Sequence, residues 1–133
     1  MDQNAPVPAG GLPPGVELKH LSEMKWETSQ SGRRNAYLLG HPSKPGPYIY
    51  ATEWPPHSKA LAHKHPDSRY AMVLEGVHYI GFGERYDEAQ LHRHPAGTWF
   101  TEPADQGHFG LTKEEGAVLY FYGMGPSAFE PLE

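Results

Sequence analysis

Three histidines at two separated places in the sequence have the residue type and spacing of a metal site. His63 and His65 stand two residues apart just before an apolar run, and His108 begins another apolar run much later in the chain. Residues i and i+2 of a β-strand face the same side, so His63 and His65 can direct both imidazoles to one point. Neutral imidazole is the commonest side-chain ligand of first-row metals. The spacing therefore predicts that these three residues bind one divalent metal ion.

Composition limits what else the chain can do. Its 133 residues are enough for one domain with a single hydrophobic core. The net charge of −5 provides no basic surface for nucleic acid or an anionic membrane, and no apolar run reaches the ~18 residues of a membrane span. We expect neither partner. Because the chain has no cysteine, a transition metal must be held by histidine and carboxylate side chains.

Short β-branched and aromatic runs separated by Gly- and Pro-rich turns predict an all-β fold. Seven or eight such runs recur about every ten residues, which is typical of an antiparallel barrel or jelly roll. Glu75 and Gly76 are expected to form the turn of a hairpin. Residues 16–26 fit either a short helical turn or an edge strand. The runs predicted as further strands are 35–39, 48–54, 77–82, 89–94, 98–101 and 117–122.

The start of the chain differs in composition from the rest. Residues 1–15 are rich in Pro, Ala and Gly and are interpreted as an N-terminal arm ahead of a single domain over residues 16–133. The arm has neither the basic start nor the apolar centre of an intact signal peptide. It fits equally the trimmed start of an exported protein and an ordinary cytoplasmic terminus. The sequence therefore leaves the compartment, cytoplasm or periplasm, open.

The two histidine segments together resemble the two motifs of the cupin family. The first motif has two histidines around one residue and a later glycine, and the second has a glycine-led strand and a proline five residues before a histidine. The matching residues are His63, His65 and Gly76 in the first motif and Gly97, Pro103 and His108 in the second. The similarity covers roughly residues 36–129. It implies a cupin-type double-stranded β-helix, the jelly-roll barrel, in agreement with the strand pattern.

One cupin ligand position is different in this chain. Where the family usually has a glutamate ligand, the sequence has Ser68, Arg69 and Tyr70. This departure is similar to the three-histidine subgroup that includes acetylacetone dioxygenase, and so is Glu102, six residues before His108. The resemblance implies a site for Fe(II), with Zn, Mn, Ni or Cu as alternatives, and no carboxylate bound to the metal.

Arg69, Tyr70 and Glu102 are the candidate catalytic residues, and either Arg69 or Tyr70 is expected to face the pocket. A guanidinium beside the metal would suit an anionic substrate, because it binds carboxylates and enolates through two hydrogen bonds. Arg69 can equally pair with Asp67 or Glu102 at the rim. Glu102 fits two roles: an acid/base whose pKa rises on burial, or a partner that hydrogen-bonds a ligand imidazole.

Other histidines have simpler interpretations. His92 and His94 form a second pair two residues apart, but they lie outside the cupin ligand positions, so we do not expect them to bind the metal. His57 and His78 are interpreted as surface residues, with a place in the cavity wall as the alternative.

These observations predict a metal-dependent enzyme acting on a small dicarbonyl or enolisable substrate, most simply as an Fe(II) dioxygenase. Two alternatives stay open. One is a metal-dependent lyase, hydrolase or isomerase that uses the same site, and the other is a non-enzymatic sensor domain that binds a metal or small ligand. The family resemblance and the strand edges of so short a chain also predict a homodimer.

Overall fold

The computed structural model describes residues 11–133, which form antiparallel β-structure with two short 3-10 helices at Leu21–Glu23 and Glu88–Gln90. The all-β prediction is confirmed. Most of the predicted N-terminal arm, residues 1–10, lies outside the described residues. Within residues 11–133 no helix is long and apolar enough to cross a membrane. The strands are β1 (Glu27–Thr28), β2 (Arg34–Leu39), β3 (Gly46–Trp54), β4 (Lys59–Lys64), β5 (Arg69–Phe82), β6 (His92–Pro95), β7 (Trp99–Glu102), β8 (His108–Leu111), β9 (Ala117–Gly125) and β10 (Glu130–Pro131).

The strands form one sheet that curls on itself. Its order is β1-β2-β3-β9-β5-β8-β4-β10, and β6 and β7 pair with β5 beside this path. Strands β3 and β4 are therefore far apart in the hydrogen-bonded order, yet residues of both line the same cavity. The sheet must bend until these two strands face each other, which gives the molecule a barrel-like interior.

Strand β5 is the central strand of this sheet. Its first half pairs with β7 and β9, and its second half pairs with β6 and β8. The predicted hairpin turn at Glu75 and Gly76 is wrong, because the strand continues through both residues. Instead, the register with β9 shifts between Val73 and Glu75, and Gly76 has a φ of +73°. A bulge with a glycine in this region bends one long strand so that it serves both sides of the barrel.

In two other segments the structure decides between predicted alternatives or moves the start of a predicted strand. Residues 16–26 contain the 3-10 turn at Leu21–Glu23, and the edge strand β1 begins just after them. The strand predicted over residues 89–94 begins later, at His92, because Glu88–Gln90 is a 3-10 helix. The Asp87 side chain accepts a hydrogen bond from the Ala89 backbone N–H at 3.0 Å. This local cap competes with strand formation, as short acidic side chains often do in turns.

The hydrophobic core lies between β5, β7 and β9. Its members are buried residues at alternate positions of these strands, as expected where one face of each strand points inward. They are Ala71, Val73, Ile80, Phe100, Ala117, Leu119 and Phe121. Tyr50 and Trp54 of β3 pack against this cluster and also line the cavity. The core therefore packs against the back of the cavity wall and supports it.

Candidate metal centre

The three predicted histidines meet in the barrel interior. His63 lies near the end of β4, His65 follows just beyond the strand, and His108 opens β8 directly opposite His63 in the β4–β8 register. The ring centroid of His63 is 5.1 Å from that of His65 and 4.4 Å from that of His108. All three side chains are buried, and one nitrogen of each lies within 4.8 Å of the other two. The predicted three-histidine cluster is therefore present.

Each imidazole is oriented by a hydrogen bond from its Nδ1 to a backbone carbonyl. These bonds join His63 to Leu61 O (2.7 Å), His65 to Ala128 O (2.8 Å) and His108 to Gln106 O (3.2 Å). A carbonyl only accepts, so Nδ1 carries the proton in all three rings and Nε2 keeps its lone pair. Nε2 of His65 and of His108 is buried and has no hydrogen-bond partner among residues 11–133. This pattern is typical of metal-binding histidines, and the donor set fits a divalent ion.

Burial keeps these imidazoles neutral. Desolvation lowers the pKa of His63 to about 4 and that of His65 to about 3, and it lowers the pKa of His108 as well. The charges of neighbouring groups contribute less. A neutral ring is the form that binds a metal, so the cluster does not need to lose protons near neutral pH.

Arg69 is one of the three residues at the usual cupin glutamate position, and it is fixed by Glu102. The two residues are cross-strand partners in β5 and β7, and both are buried. Arg69 donates from Nε at 2.9 Å and from Nη2 at 2.7 Å to the same Oε1 of Glu102. Of the pairings left open by the sequence, Arg69 therefore takes Glu102, in the interior and not at the rim. Asp67 instead accepts a hydrogen bond from the Tyr48 hydroxyl at 2.5 Å.

Glu102 lies on the metal-facing side of His108. Its Oε1 is 3.4 Å from His108 Nε2, whereas the Nδ1 side of the ring is bonded to Gln106 O. Glu102 therefore does not orient the imidazole through its other nitrogen, as one hypothesis required. Burial alone would raise the pKa of Glu102, but the Arg69 guanidinium outweighs burial and the pKa is about 2. The raised pKa expected of an acid/base is not found, and the carboxylate stays ionised.

Neighbouring residues of β5 separate into an inner and an outer set. Arg69 also donates from Nη1 to the Tyr50 hydroxyl at 2.8 Å, and its guanidinium lies 4.2 Å from the Phe121 ring centroid. Tyr70 points to the other face, where it is 43% exposed and lies against Trp99 and Tyr122. The structure thus brings Arg69 and Glu102 to the histidines and leaves Tyr70 outside.

A cavity of about 380 Å³ opens beside the cluster. This volume falls within the range of small-molecule sites, roughly 300 to 1,000 Å³. Its wall includes two of the histidines and Arg69, together with aromatic and hydroxyl side chains from the N-terminal half and the C-terminal segment. Its main lining residues are Ser31, Arg33, Asn35, Tyr37, His41, Ser43, Tyr50, Thr52, Trp54, His63, His65, Arg69, Ser127 and Phe129. The arrangement can place a small ligand against the histidines.

Comparison with known families decides the classification. The profile of the family described as ChrR Cupin-like domain matches residues 15–128, which is most of the chain. The chain belongs to this family. No curated protein sequence matches it.

Solved structures show the same cupin fold. The polyketide cyclase RemF from Streptomyces resistomycificus is 14% identical, with a TM-score of 0.74 over 89% of this chain and 86% of that one. An RmlC-like cupin from Shewanella frigidimarina is 15% identical, with a TM-score of 0.64 over 82% and 90%. A sugar phosphate isomerase of the cupin superfamily from Silicibacter pomeroyi is 18% identical, with a TM-score of 0.65 over 82% and 76%. At these identities the likeness establishes the fold, and the predicted cupin-type jelly roll is confirmed.

Two residues of this cupin interior were not identified from the sequence. Arg33 was not among the candidate site residues, yet it lines the cavity. His78 was interpreted as a surface residue, yet it is 2% exposed and packs edge-on to Trp54 with 4.7 Å between ring centroids. Its place on the inner face of β5 could have been read from alternation with Ile80, once the strand was known to continue past Gly76. The interpretation of His57 as a surface residue agrees with the structure, in which it is exposed.

Proposed function

We propose that this cupin is a metal-dependent enzyme that binds one divalent ion through Nε2 of His63, His65 and His108 and acts on a small enolisable substrate. The observation that carries the proposal is the set of three imidazoles whose Nδ1 atoms are all bonded to backbone carbonyls. Such anchoring holds the Nε2 lone pairs ready for a ligand before any ligand arrives.

A divalent ion held there would act as a Lewis acid and template for substrate oxygens, and would keep its full charge because the imidazoles are neutral. The chain's own residues would do the rest. Arg69 uses three of its five N–H groups on Glu102 and Tyr50, which leaves two for a substrate oxygen in the cavity that it lines. Glu102 would hold that guanidinium in place and supply a fixed negative charge next to His108.

Among possible reactions, the leading proposal is an Fe(II) oxygenase that cleaves a carbon–carbon bond, as in the acetylacetone dioxygenase subgroup. It is supported by the absence of a glutamate at Ser68, Arg69 and Tyr70, where the family usually has one, and by Glu102 six residues before His108. Zn, Mn, Ni or Cu would suit a lyase, hydrolase or isomerase on the same residues. Similar folds carry names as different as cyclase and isomerase, so the fold alone does not select the reaction.

A second candidate is a non-enzymatic domain that senses or stores a metal or small ligand. One observation favours it. Glu102, the carboxylate beside the cluster, is hydrogen-bonded to Arg69 and is a weak base. A catalytic base needs a pKa closer to the working pH. The two candidates share the metal site and differ only in turnover.

Oxygen uptake after anaerobic loading with Fe(II) tests the proposal. We expect the loaded protein to consume dioxygen with 2,4-pentanedione, a β-diketone, or with acetoin, an α-hydroxy ketone. His108→Ala should abolish uptake, whereas His92→Ala, at an exposed histidine, should not. Stoichiometric metal without oxygen uptake from either compound would reject the oxygenase and favour the sensor or a redox-neutral enzyme.

We also propose that the protein is a homodimer. The outer face of β5, β7 and β9 exposes Tyr70, Trp99 and Tyr122, with Trp99 60% exposed. An aromatic patch of this kind on a small domain is typical of a protein interface. Light scattering should give twice the chain mass, and Trp99→Glu should reduce it to the monomer. A monomeric wild-type mass at micromolar concentration would contradict this proposal without affecting the metal site.

A further inference from the structure

Arg33 is a second cation in the cavity wall, and it is half-buried, whereas Arg69 is buried. Arg33 donates from Nε to Ser58 Oγ at 3.3 Å and from Nη2 to Lys59 O at 2.8 Å. Both acceptors are neutral. Among residues 11–133 the ion pairs of arginine involve Arg34 and Arg69, and none involves Arg33. Within that range no carboxylate balances its charge, whereas Glu102 balances the charge of Arg69.

An aromatic ring holds Arg33 in place. Its guanidinium carbon lies 3.9 Å from the ring centroid of Trp54, within the distance of a cation–π interaction. Partial burial lowers the pKa of Arg33, which shows that the charge is kept at a cost in solvation. Such a cost is expected where a cation is positioned to bind an anionic ligand.

Strand β3 sets the distance between the two arginines. Tyr50, Thr52 and Trp54 alternate along β3 and all line the cavity, and β3 pairs with β9 without a register shift. Arg69 is bonded to Tyr50, and Arg33 is stacked on Trp54. Four residues of regular strand span about 13 Å. The cavity therefore has one end formed by the histidines and Arg69 and another formed by Arg33, and the β3 residues that contact the two arginines lie about the length of a small conjugated molecule apart.

The cavity between these ends is positive and flat-sided. Its lining, within the described part of the chain, includes Arg33 and Arg69 and no Asp or Glu, although the whole chain carries a net charge of −5. The rings that line it are Tyr37, Tyr50, Trp54 and Phe129. Aromatic walls favour planar ligands, and an arginine without an acidic partner favours a carboxylate.

We propose that Arg33 is the specificity-determining residue of this cupin and that it binds a carboxylate at the far end of a flat, conjugated substrate. This names the substrate class for the proposed enzyme, and its histidine end rests on the proposed function. The Arg33 end does not depend on the metal. The preferred substrate would thus be a planar enolisable acid, of which a simple diketone supplies only the part that faces the histidines.

Calorimetry with two probes of equal shape tests the inference. The probes are 4-hydroxycinnamate and its primary amide, titrated into protein that has been stripped of metal with a chelator. The wild-type protein should bind the carboxylate at least about tenfold more tightly than the amide, since one charge-assisted hydrogen-bonded pair supplies about that factor. Arg33→Met should reduce the ratio to about one, and Arg33→Lys should retain part of it.

The control variant is Arg34→Met, which removes the neighbouring arginine whose exposed ion pair with Glu53 lies outside the cavity. It should keep the wild-type ratio. If Arg33 only fastened β4 to Trp54, Arg33→Met would weaken both probes together and leave their ratio unchanged. That result would overturn the inference, and so would equal or undetectable binding of both probes by the wild-type protein.

The same titration separates this inference from the proposed function. The variant carrying both His63→Ala and His108→Ala should keep the preference for the carboxylate. A protein that binds no metal and shows no turnover but keeps the tenfold preference would disprove the proposed function and support the role of Arg33. A protein that is a metal-dependent enzyme but does not prefer the carboxylate would support the proposed function and disprove the role of Arg33.

Discussion

Two groups of histidines in this barrel differ in how their ring nitrogens are held. In the first group, His63, His65 and His108, each Nδ1 is bonded to a backbone carbonyl and the Nε2 atoms converge. In the second group, His78 and His94 are cross-strand partners whose ring centroids are 6.5 Å apart. Neither nitrogen of His78 has a partner among the described residues, and neither does Nδ1 of His94.

The difference teaches that burial alone does not identify a metal ligand. His78 is at least as buried as the predicted ligands, and desolvation lowers its pKa to about 3. Yet no residue in the described range 11–133 orients its ring by hydrogen bonding, and its neighbours include the aromatic rings of Trp54 and Phe100. Anchored Nδ1 atoms and convergent Nε2 atoms mark the first group as the candidate metal centre.

Removing a ligand from the first group should have the largest effect. We expect His63→Ala and His108→Ala to lose bound metal, from about one ion per chain to a small fraction, because each removes one of three ligands. Elemental analysis after gel filtration measures the stoichiometry, and circular dichroism checks the fold. If both variants fold and keep the wild-type metal content, the first group is not the metal site and the distinction drawn between the two groups is wrong.

Breaking the Arg69–Glu102 pair should have the next largest effect. Glu102→Gln leaves the buried Arg69 charge without a counter-charge, which typically costs about 3 to 5 kcal/mol of stability. Glu53→Gln is the matched control, because it removes the carboxylate of the exposed Arg34 pair and should cost at most about 1 kcal/mol. Urea unfolding measures both changes. Glu102→Gln should retain the metal and lose activity by roughly 10- to 100-fold, whereas equal costs for the two variants would show that burial adds nothing.

Acid should destabilise the metal-free protein through the first group. The folded-state pKa values of His63 and His65, about 4 and about 3, lie below the ordinary 6.5 of an unfolded imidazole. The unfolded chain therefore binds more protons, and the stability from these rings is complete above pH 6.5 and decreases as the pH falls toward 4. Thermal unfolding from pH 7.5 to 4 should show this decline, and His63→Gln should make it shallower. A profile unaffected by that substitution would contradict the low pKa of His63.

Replacing His78 should have the smallest effect and the opposite sign. Its two nitrogens make no hydrogen bond among residues 11–133, so an apolar side chain of similar size removes an unsatisfied polar group from the interior. We expect His78→Leu to leave the metal content unchanged and to raise the free energy of unfolding by up to about 1 kcal/mol. A loss of metal would show that His78 belongs with the first group, and a loss of stability would contradict the cost assigned to its unpaired nitrogens.

Much of the fold was predictable from the sequence, because it depends on local patterns. Short β-branched and aromatic runs identified strands β2, β3 and β9, and the spacing of His63, His65 and His108 identified the cluster. The continuous course of β5 was missed, because Gly76 has the local signature of a turn and only its pairing partners show a bulge.

The rest of the site depends on contacts between distant segments. The Arg69–Glu102 pair joins residues 33 positions apart, and it reverses the expected direction of the Glu102 pKa shift. Arg33 reaches the cavity because it stacks on Trp54, 21 positions later in the chain. Tyr70 and Arg69 were equivalent in the motif, and only the strand pairing assigns one to the interior and the other to the surface.

A crystal structure of the zinc-loaded protein, with diffraction data on both sides of the zinc absorption edge, tests the central claim most directly. We predict one strong anomalous peak, about 2.0 to 2.1 Å from Nε2 of His63, His65 and His108, with both oxygens of Glu102 beyond bonding distance. A peak between His78 and His94, or a Glu102 oxygen at about 2.0 to 2.2 Å from the ion, would contradict the three-histidine site.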